Sequence, residues 1–194
     1  MRAVPLSRYA AFFLLAGGGC ALDLATKHWM FSRLGVPRPG CPDPPDWLWT
    51  NVVGFQASLN EGALFGIGQG GWVLFAVLSL VALLFILGWL FWAGAARQWV
   101  LTLALASVTA GILGNLYDRL GLPGLVWKDT LWKDTVLLHR AGDTMHAVRD
   151  WILVMIGRWP WPTFNVADSM LVCGAVVLAW HAFWTKPADL KPQS

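Results

Sequence analysis

Two aspartates, Asp118 in GNLYDR and Asp168 in FNVADS, sit at the ends of long apolar runs in a chain otherwise poor in charge. Ionisable groups are costly at membrane depth and mark functional positions there. If the two runs are neighbouring helices crossing one layer in opposite directions, both carboxylates lie at one depth on one side. Two facing carboxylates do not readily ionise together: one pKa rises, the other falls, and the pair can share a proton. That supplies a general base and a general acid around one water. Each aspartate has amide company, Asn115 one turn before Asp118 and Asn165 three residues before Asp168. An amide can hold a substrate carbonyl or orient a carboxylate. The plain alternative is that both aspartates are helix-end residues. Asp168 suits it, because an acid is stabilised near a helix N-terminus; Asp118 does not, because a C-terminus disfavours an anion. Asp23 and Lys27 stand four apart on one helix face, in an order that pairs favourably. They are either a self-neutralising ion pair or part of a site.

The elements that must carry these residues follow from composition. The chain has 194 residues, 57% hydrophobic and 13% charged, against about 25% charged in a soluble domain. Its net charge is +3, with Lys and Arg scattered rather than clustered, which leaves no footprint for nucleic acid. There are 14 Trp but only 2 Tyr, and Trp favours the membrane–water boundary. The class is integral membrane protein. Four segments, about 9–31, 72–94, 99–117 and 166–184, are long enough to cross a hydrocarbon layer of roughly 30 Å as helices. An even number of spans puts both termini on one side, together with the tight link at 95–98. Charge does not decide which side. The 118–165 loop carries Arg119, Lys128, Lys133, Arg140, Arg149 and Arg158 among acids, and a naive count would place it in the cytoplasm.

Residues 35–46 are dense in Pro and Gly and exclude helix. WLWTNVVGF, at 47–55, has the aromatic and β-branched content of a strand. ASLNEGALFG follows, with glycines that suit a turn. A small sheet at the membrane surface is expected here. The last loop repeats WKDT at 127–130 and 132–135, a five-residue step that fits neither a helix face nor a strand face. It reads as a surface excursion with aromatic anchors, Trp127 and Trp132 resting among lipid headgroups and Lys128 and Lys133 near their phosphates. DWILVMIGRWPWP is too short to span and reads as an interfacial helix or strand ended by Pro160 and Pro162. Cys20, Cys41 and Cys173 are odd in number and widely spaced, so no disulfide framework is expected. The four His are dispersed, which predicts no metal site.

Taken together, DLATK (Asp23 to Lys27), LNEGALFG (Leu59 to Gly66), GNLYDR (Gly114 to Arg119), VRDWI (Val148 to Ile152) and FNVADS (Phe164 to Ser169) resemble the motifs of the lipoprotein signal peptidase, or signal peptidase II, family. They occur in the family's order on four apolar spans. The resemblance implies one integral-membrane peptidase domain over 1–194: an all-α membrane protein of four transmembrane helices, with a small extracytoplasmic β-cradle between helices 1 and 2. It implies an aspartic endopeptidase that removes the signal peptide from diacylglyceryl-modified prolipoproteins, cutting on the amino side of the lipidated Cys. Asp118 and Asp168 are expected as the catalytic pair. Asn60, Gly62, Asn115, Arg119, Asn165 and Ala167 are expected around the cleft, and Asp23, Lys27 and Asp150 as supports of the active fold. No metal or cofactor is expected, and the partners are the lipidated precursors and membrane lipid. A monomer is expected in the bacterial inner membrane, with both termini cytoplasmic and the site near the extracytoplasmic face.

Two departures from the family pattern stand out. Leu64 replaces a small residue, and 120–147 is longer than the usual connection. The competing reading is a small proton-coupled transporter or channel subunit using its aspartates as a relay, against which no internal inverted repeat is visible. Because no His or Cys has ligand spacing, hydrolytic turnover is expected to survive EDTA. Loss on chelation with recovery on adding a divalent cation would replace the carboxylate chemistry by a metal mechanism.

Overall fold

The computed structural model describes residues 3–38, 43–62, 68, 70–133 and 136–184. Cys41 and Leu64, singled out above, lie outside the described residues, as do the side chains of Trp132 and Lys133. Among the described residues, four helices are long and apolar enough to cross a membrane. They are α1 (Leu6–Leu34), α2 (Trp72–Leu87, extended by a π-helical turn over Gly88–Trp92), α3 (Trp99–Arg119) and α4 (Val166–Trp184).

Helix α3 is central and packs against the other three. Of its most apolar window 56% is buried, against 17% in α2 and 11% in α4. The outer helices turn Leu74, Val77, Leu78, Val81 and Leu84 of α2, and Val172, Val176 and Phe183 of α4, outward, where lipid tails can cover them. Lipid is as apolar as these side chains, so helices associate instead through close packing of small residues and hydrogen bonds. The buried side of α3 is made accordingly of Ala104, Ala106, Thr109, Ala110, Gly111 and Gly114. A Cβ on Gly111 would run into the carbonyl oxygen of Ala167 on α4. One turn along, the Ser107 hydroxyl donates to the Met170 carbonyl at 2.9 Å.

The two large loops build one antiparallel sheet. Strands β1 (Asp46–Trp49) and β2 (Val53–Asn60) form a hairpin, turned at Asn51 with φ 59°. Strand β5 (Val148–Ile156) pairs with the far edge of β2, and β6 (Trp159–Pro160) with β5. The expected cradle exists, but it is not confined to the connection between α1 and α2: half of its strands come from the 118–165 loop. Ala57 to Asn60, expected in a turn, continue β2, because β5 offers them backbone partners. Trp151 of β5 packs with Ala57, Met30 and Phe31, which seats the sheet on the C-terminal end of α1.

Residues 120–147 hold the hairpin β3 (Leu131–Lys133) and β4 (Val136–His139). Trp127 is buried with Met145 and Ala147 against Val36 and Leu59, and its ring stacks on His139 at 3.7 Å. The expectation that Trp127 anchors in the headgroup layer is therefore corrected. The apolar edge of the cradle offers the indole a dry partner, so the segment is packed onto the sheet rather than lying loose on the surface.

Gly111→Ala is expected to destabilise the α3–α4 pair by about 1–3 kcal/mol, the cost of overpacking a close contact. Gly17→Ala, where an added Cβ meets nothing within 4 Å, should be neutral or slightly stabilising. Thermal unfolding of both variants in one detergent checks the contrast.

Candidate active site

Strand alternation sorts the charges of VRDWI. In the β2–β5 register Asn60 lies opposite Val148 and Ser58 opposite Asp150. Asn60 and Asp150 are thus diagonal neighbours on one face of the sheet, and the Asn60 side chain hydrogen-bonds the Asp150 carboxyl. Arg149, between Val148 and Asp150, projects to the other face. There it meets the end of α3.

At that end Asp118 is fully buried and fully engaged. Its Oδ1 accepts from Arg149 Nε at 2.9 Å and pairs with Arg149 Nη2 at 2.8 Å. Its Oδ2 accepts from the Arg149 backbone N–H at 3.1 Å and pairs with Lys27 Nζ at 3.0 Å. Four donors on two oxygens leave no lone pair directed at a water. Lys27 also pairs with Asp23 at 2.7 Å and donates to Asn115 Oδ1 at 2.9 Å. Asp23 in turn accepts the Ala167 backbone N–H at 2.9 Å, satisfying an otherwise orphaned donor in the first turn of α4. Gly114 has no side chain because Asp23 Oδ2 occupies the space where a Cβ would stand. The alternative of a structural ion pair for Asp23 and Lys27 is realised, and Asp118 belongs to it.

Asp168 lies in a different setting. Asn165 and Asp168 form a reciprocal cap on α4. The Asp168 N–H donates to Asn165 Oδ1 at 2.9 Å, and the Asn165 N–H donates to Asp168 Oδ2 at 3.2 Å. Asp168 Oδ1 accepts from Asn115 Nδ2 at 2.8 Å. The carboxylate facing it is not Asp118 but Asp150. Asn165 Nδ2 donates to Asp150 Oδ1 at 2.6 Å, so one asparagine touches both acids. Asp150 is 1% exposed. Burial pushes its carboxyl well above the usual range, and the negative charge of Asp168 pushes it further in the same direction.

Asp168, to which the buried Asp150 is joined through Asn165, stands at the head of a cleft of about 710 Å³. Its polar end holds Asn60, Gly62, Asn115, Arg119 and Asp168. Its apolar walls include Ile112 of α3 and Leu171 and Val172 of α4. Arg119 Nη2 donates to the Gly62 carbonyl at 3.2 Å, and the Gly62 N–H donates to Asn60 Oδ1 at 3.0 Å. Of the expected site residues, Asn60, Gly62, Asn115, Arg119 and Asp168 line this cleft, with Asn165 and Asp150 buried next to them. Ala167, Asp23, Lys27 and Asp118 lie behind them in the ion cluster. Asp118, expected to pair with Asp168, is engaged by Lys27 and Arg149, whereas Asn165 links Asp168 to Asp150. Asp150, expected only as a support, occupies the facing position. Arg149 was not anticipated at all. Two features of the sequence point to both: an anion at the C-terminus of α3 calls for cations, and a strand reading of VRDWI sends Arg149 and Asp150 to opposite faces.

Residues 15–184 match the family model described as signal peptidase (SPase) II. A lipoprotein signal peptidase of Rhodopirellula baltica is 43% identical over 185 residues, covering 93% of this chain and 75% of that protein. One from Pseudomonas syringae pv. tomato is 32% identical over 171 residues, covering 86% and 82%. Among solved structures, a bacterial membrane enzyme determined by the in meso method at 2.3 Å superposes with a TM-score of 0.70. Its sequence identity is 20%, with coverage of 95% of this chain and 94% of that one. This last likeness concerns the fold.

Removing one partner from a buried ion cluster leaves an uncompensated charge, at a cost of about 3–5 kcal/mol. Lys27→Met and Asp118→Asn are expected to lower thermal stability on that scale. Asp150→Asn, which removes a desolvated carboxyl, should leave the melting temperature unchanged or raise it. Differential scanning fluorimetry of the three purified variants reads the difference.

Proposed function

The chain belongs to the signal peptidase II family, and from that premise we propose that it is an aspartic endopeptidase of diacylglyceryl-modified prolipoproteins, with Asp150 and Asp168 as its working pair. The observation that carries this assignment is the asparagine-bridged pair of acids, one of which lines the polar end of an apolar cleft, set against an Asp118 that has no oxygen to spare. The bond cut is the peptide bond on the amino side of the lipidated Cys.

The two acids divide the work by environment. Asp168 sits in the first turn of α4 and accepts hydrogen bonds from Asn115 Nδ2 and the Asn165 backbone N–H. It is the general base. Asp150, desolvated and beside that anion, holds its proton and is the general acid. Asp168 removes a proton from a water held between them, and the resulting hydroxide attacks the scissile carbonyl carbon. Asp150 donates its proton to the carbonyl oxygen as the tetrahedral intermediate forms. When the C–N bond breaks, the proton held by Asp168 goes to the leaving amine, and the collapsing intermediate returns one to Asp150. Asn60 and Asn165 hold Asp150 in place, and Asn115 does the same for Asp168. Arg119 fixes the Gly62 backbone at the rim. No metal or organic cofactor enters these steps.

The cleft lies between α3 and α4, so acyl chains can stay in the bilayer while the Cys backbone reaches the acids. Each CH₂ kept out of water is worth about 0.8 kcal/mol, which favours lateral entry over extraction. The enzyme works in the bacterial inner membrane as a monomer, with both termini cytoplasmic and the acids near the extracytoplasmic face. A proton-relay transporter would use the same acids but could not cleave a precursor in detergent, where no sealed compartment exists.

Asp150→Asn and Asp168→Asn are each expected to lower kcat by roughly 10²–10⁴-fold. The double variant should be little worse than either, because the pair acts as a unit. The kcat/KM profile should be bell-shaped. Asp150 must be protonated to act, so activity falls as pH rises through its raised pKa, placing the alkaline limb above the ordinary carboxylate value of about 4. Both limbs belong to the pair as a whole. Cleavage of a diacylglyceryl precursor peptide by wild type and variants across pH is the measurement. Near-wild-type turnover in either single variant would sink the assignment.

A further inference from the structure

Beside the cleft lies a second cavity of about 420 Å³, lined among others by Glu61, Trp72, Trp127, His139, Asp143 and His146. None of these six residues has a part in the proposed hydrolysis. Four of them, Trp127, His139, Asp143 and His146, come from the long 120–147 segment, which encloses the space against the start of α2. The two cavities share a wall. Glu61 stands between Asn60 and Gly62, both of which line the cleft. His146 Nδ1 lies 2.8 Å from the carbonyl oxygen of Arg119, another cleft residue.

The lining has a definite chemical character. Two indole–imidazole stacks contribute to it, Trp72 on His146 at 4.0 Å and Trp127 on His139 at 3.7 Å. Two carboxyls, Glu61 and Asp143, complete it. His139 is only 7% exposed, yet neither of its ring nitrogens has a hydrogen-bond partner among the described residues. Buried polar groups left open in this way are uncommon and call for an explanation, and a polar guest in the cavity is one. Asp143 is at the rim, with Oδ2 taking the Arg140 backbone N–H at 2.9 Å. Burial raises the Glu61 carboxyl and His139 draws it back. A cation entering beside Glu61 would draw it down further and favour the charged form. Acids together with indole faces suit a cation, and the volume suits one long side chain with a little water.

We propose that this cavity receives a lysine or arginine side chain from the mature part of the lipoprotein, within the first few residues after the lipidated Cys. The placement rests on the proposed function, which puts that Cys in the cleft. The wall at Glu61 is one residue wide, and an extended chain advances about 3.3 Å per residue, so a short step from the Cys reaches the second cavity. Its consequence is a charge preference just downstream of the cut, built by the 120–147 segment.

The test uses the purified full chain in maltoside micelles free of aminolipid. The substrates are diacylglyceryl precursor peptides identical except for Ala, Lys or Glu at each of the second to fifth positions from the Cys. Wild type is expected to favour Lys over Ala at one of these positions by about tenfold in kcat/KM, equivalent to about 1.4 kcal/mol, chiefly through KM. Glu61→Lys should reverse the preference toward Glu. Where that variant fails to fold, Asp143→Asn at the exposed rim should reduce the Lys preference by about threefold. Equal cleavage of all three peptides by wild type, or a Lys preference unchanged in both variants, overturns the proposal. Loss of the preference on adding phosphatidylethanolamine would assign the cavity to an aminolipid headgroup and overturn it too. Failure of wild type to cut any of the precursors would instead overturn the assigned function, and the proposal with it.

Discussion

Charge buried at membrane depth has to be neutralised where it stands, and the cluster of Lys27, Asp23, Asp118 and Arg149 does this for the whole molecule. Two cations meet two anions, and all four are at most 5% exposed. The members come from α1, α3 and β5, and Asp23 reaches a fourth element by holding the Ala167 N–H of α4. Three transmembrane helices and the extramembrane sheet therefore converge on one point. Lipid offers no hydrophobic force to bring helices together, so this point does much of what a soluble core would do. A buried ion cluster contributes specificity of arrangement more than net stability. Here it concerns how the sheet sits on the bundle, because Arg149 of β5 holds Asp118 of α3 through both its side chain and its backbone N–H.

That seating separates the carboxylates into three kinds. Asp23 and Asp118 hold cations. Asp168 closes the cap of α4 with one oxygen and offers the other to Asn115. Asp150 has amides for neighbours and no cation within an ion-pair contact among the described residues. Chemically identical side chains, gathered at one end of the bundle, thus differ in whether they hold charge as structure, carry it near water or resist it. The asparagines keep the kinds apart. Asn115 takes a hydrogen bond from Lys27 on its oxygen and gives one to Asp168 from its nitrogen, so the cation cluster and the acid pair are one residue apart without merging.

Much of this was readable before any coordinates. Apolar length alone located the four helices, since a bilayer admits no other use for such runs. Aromatic and β-branched content located β1 and the start of β2. The gathering of Asn60, Asn115, Arg119, Asn165 and Asp168 was expected from the motif resemblance. The partner proposed for Asp168 differs from the one expected from the sequence, for a physical reason. Counting depth along helices treats Asp118 and Asp168 as equals, because both end apolar spans. Depth says nothing about which cations arrive from elsewhere, and Arg149 arrives from a strand more than thirty residues downstream. The unfavourable position of Asp118 at a helix C-terminus was noted as a reason against a merely structural role. In the structure that position is met by cations: Lys27 and Arg149 together engage both oxygens of Asp118.

The 120–147 segment shows the same limit from another side. Its tandem WKDT has no amphipathic period, so nothing local announces that Trp127 is buried. The indole goes inward because Val36 and Leu59 form an apolar edge only once α1, β2 and β5 are assembled. Burying Trp127 then carries His139 with it, since the two rings stack, and His146 is drawn onto Trp72 where α2 begins. A stretch without regular pattern thereby becomes a wall against the same cradle that carries Asp150. The backbone at Asn60 to Gly62 therefore serves two spaces at once. The Asn60 side chain reaches Asp150, and Glu61 lines the other cavity. The 120–147 segment is thus joined directly to the residues that position the proposed chemistry.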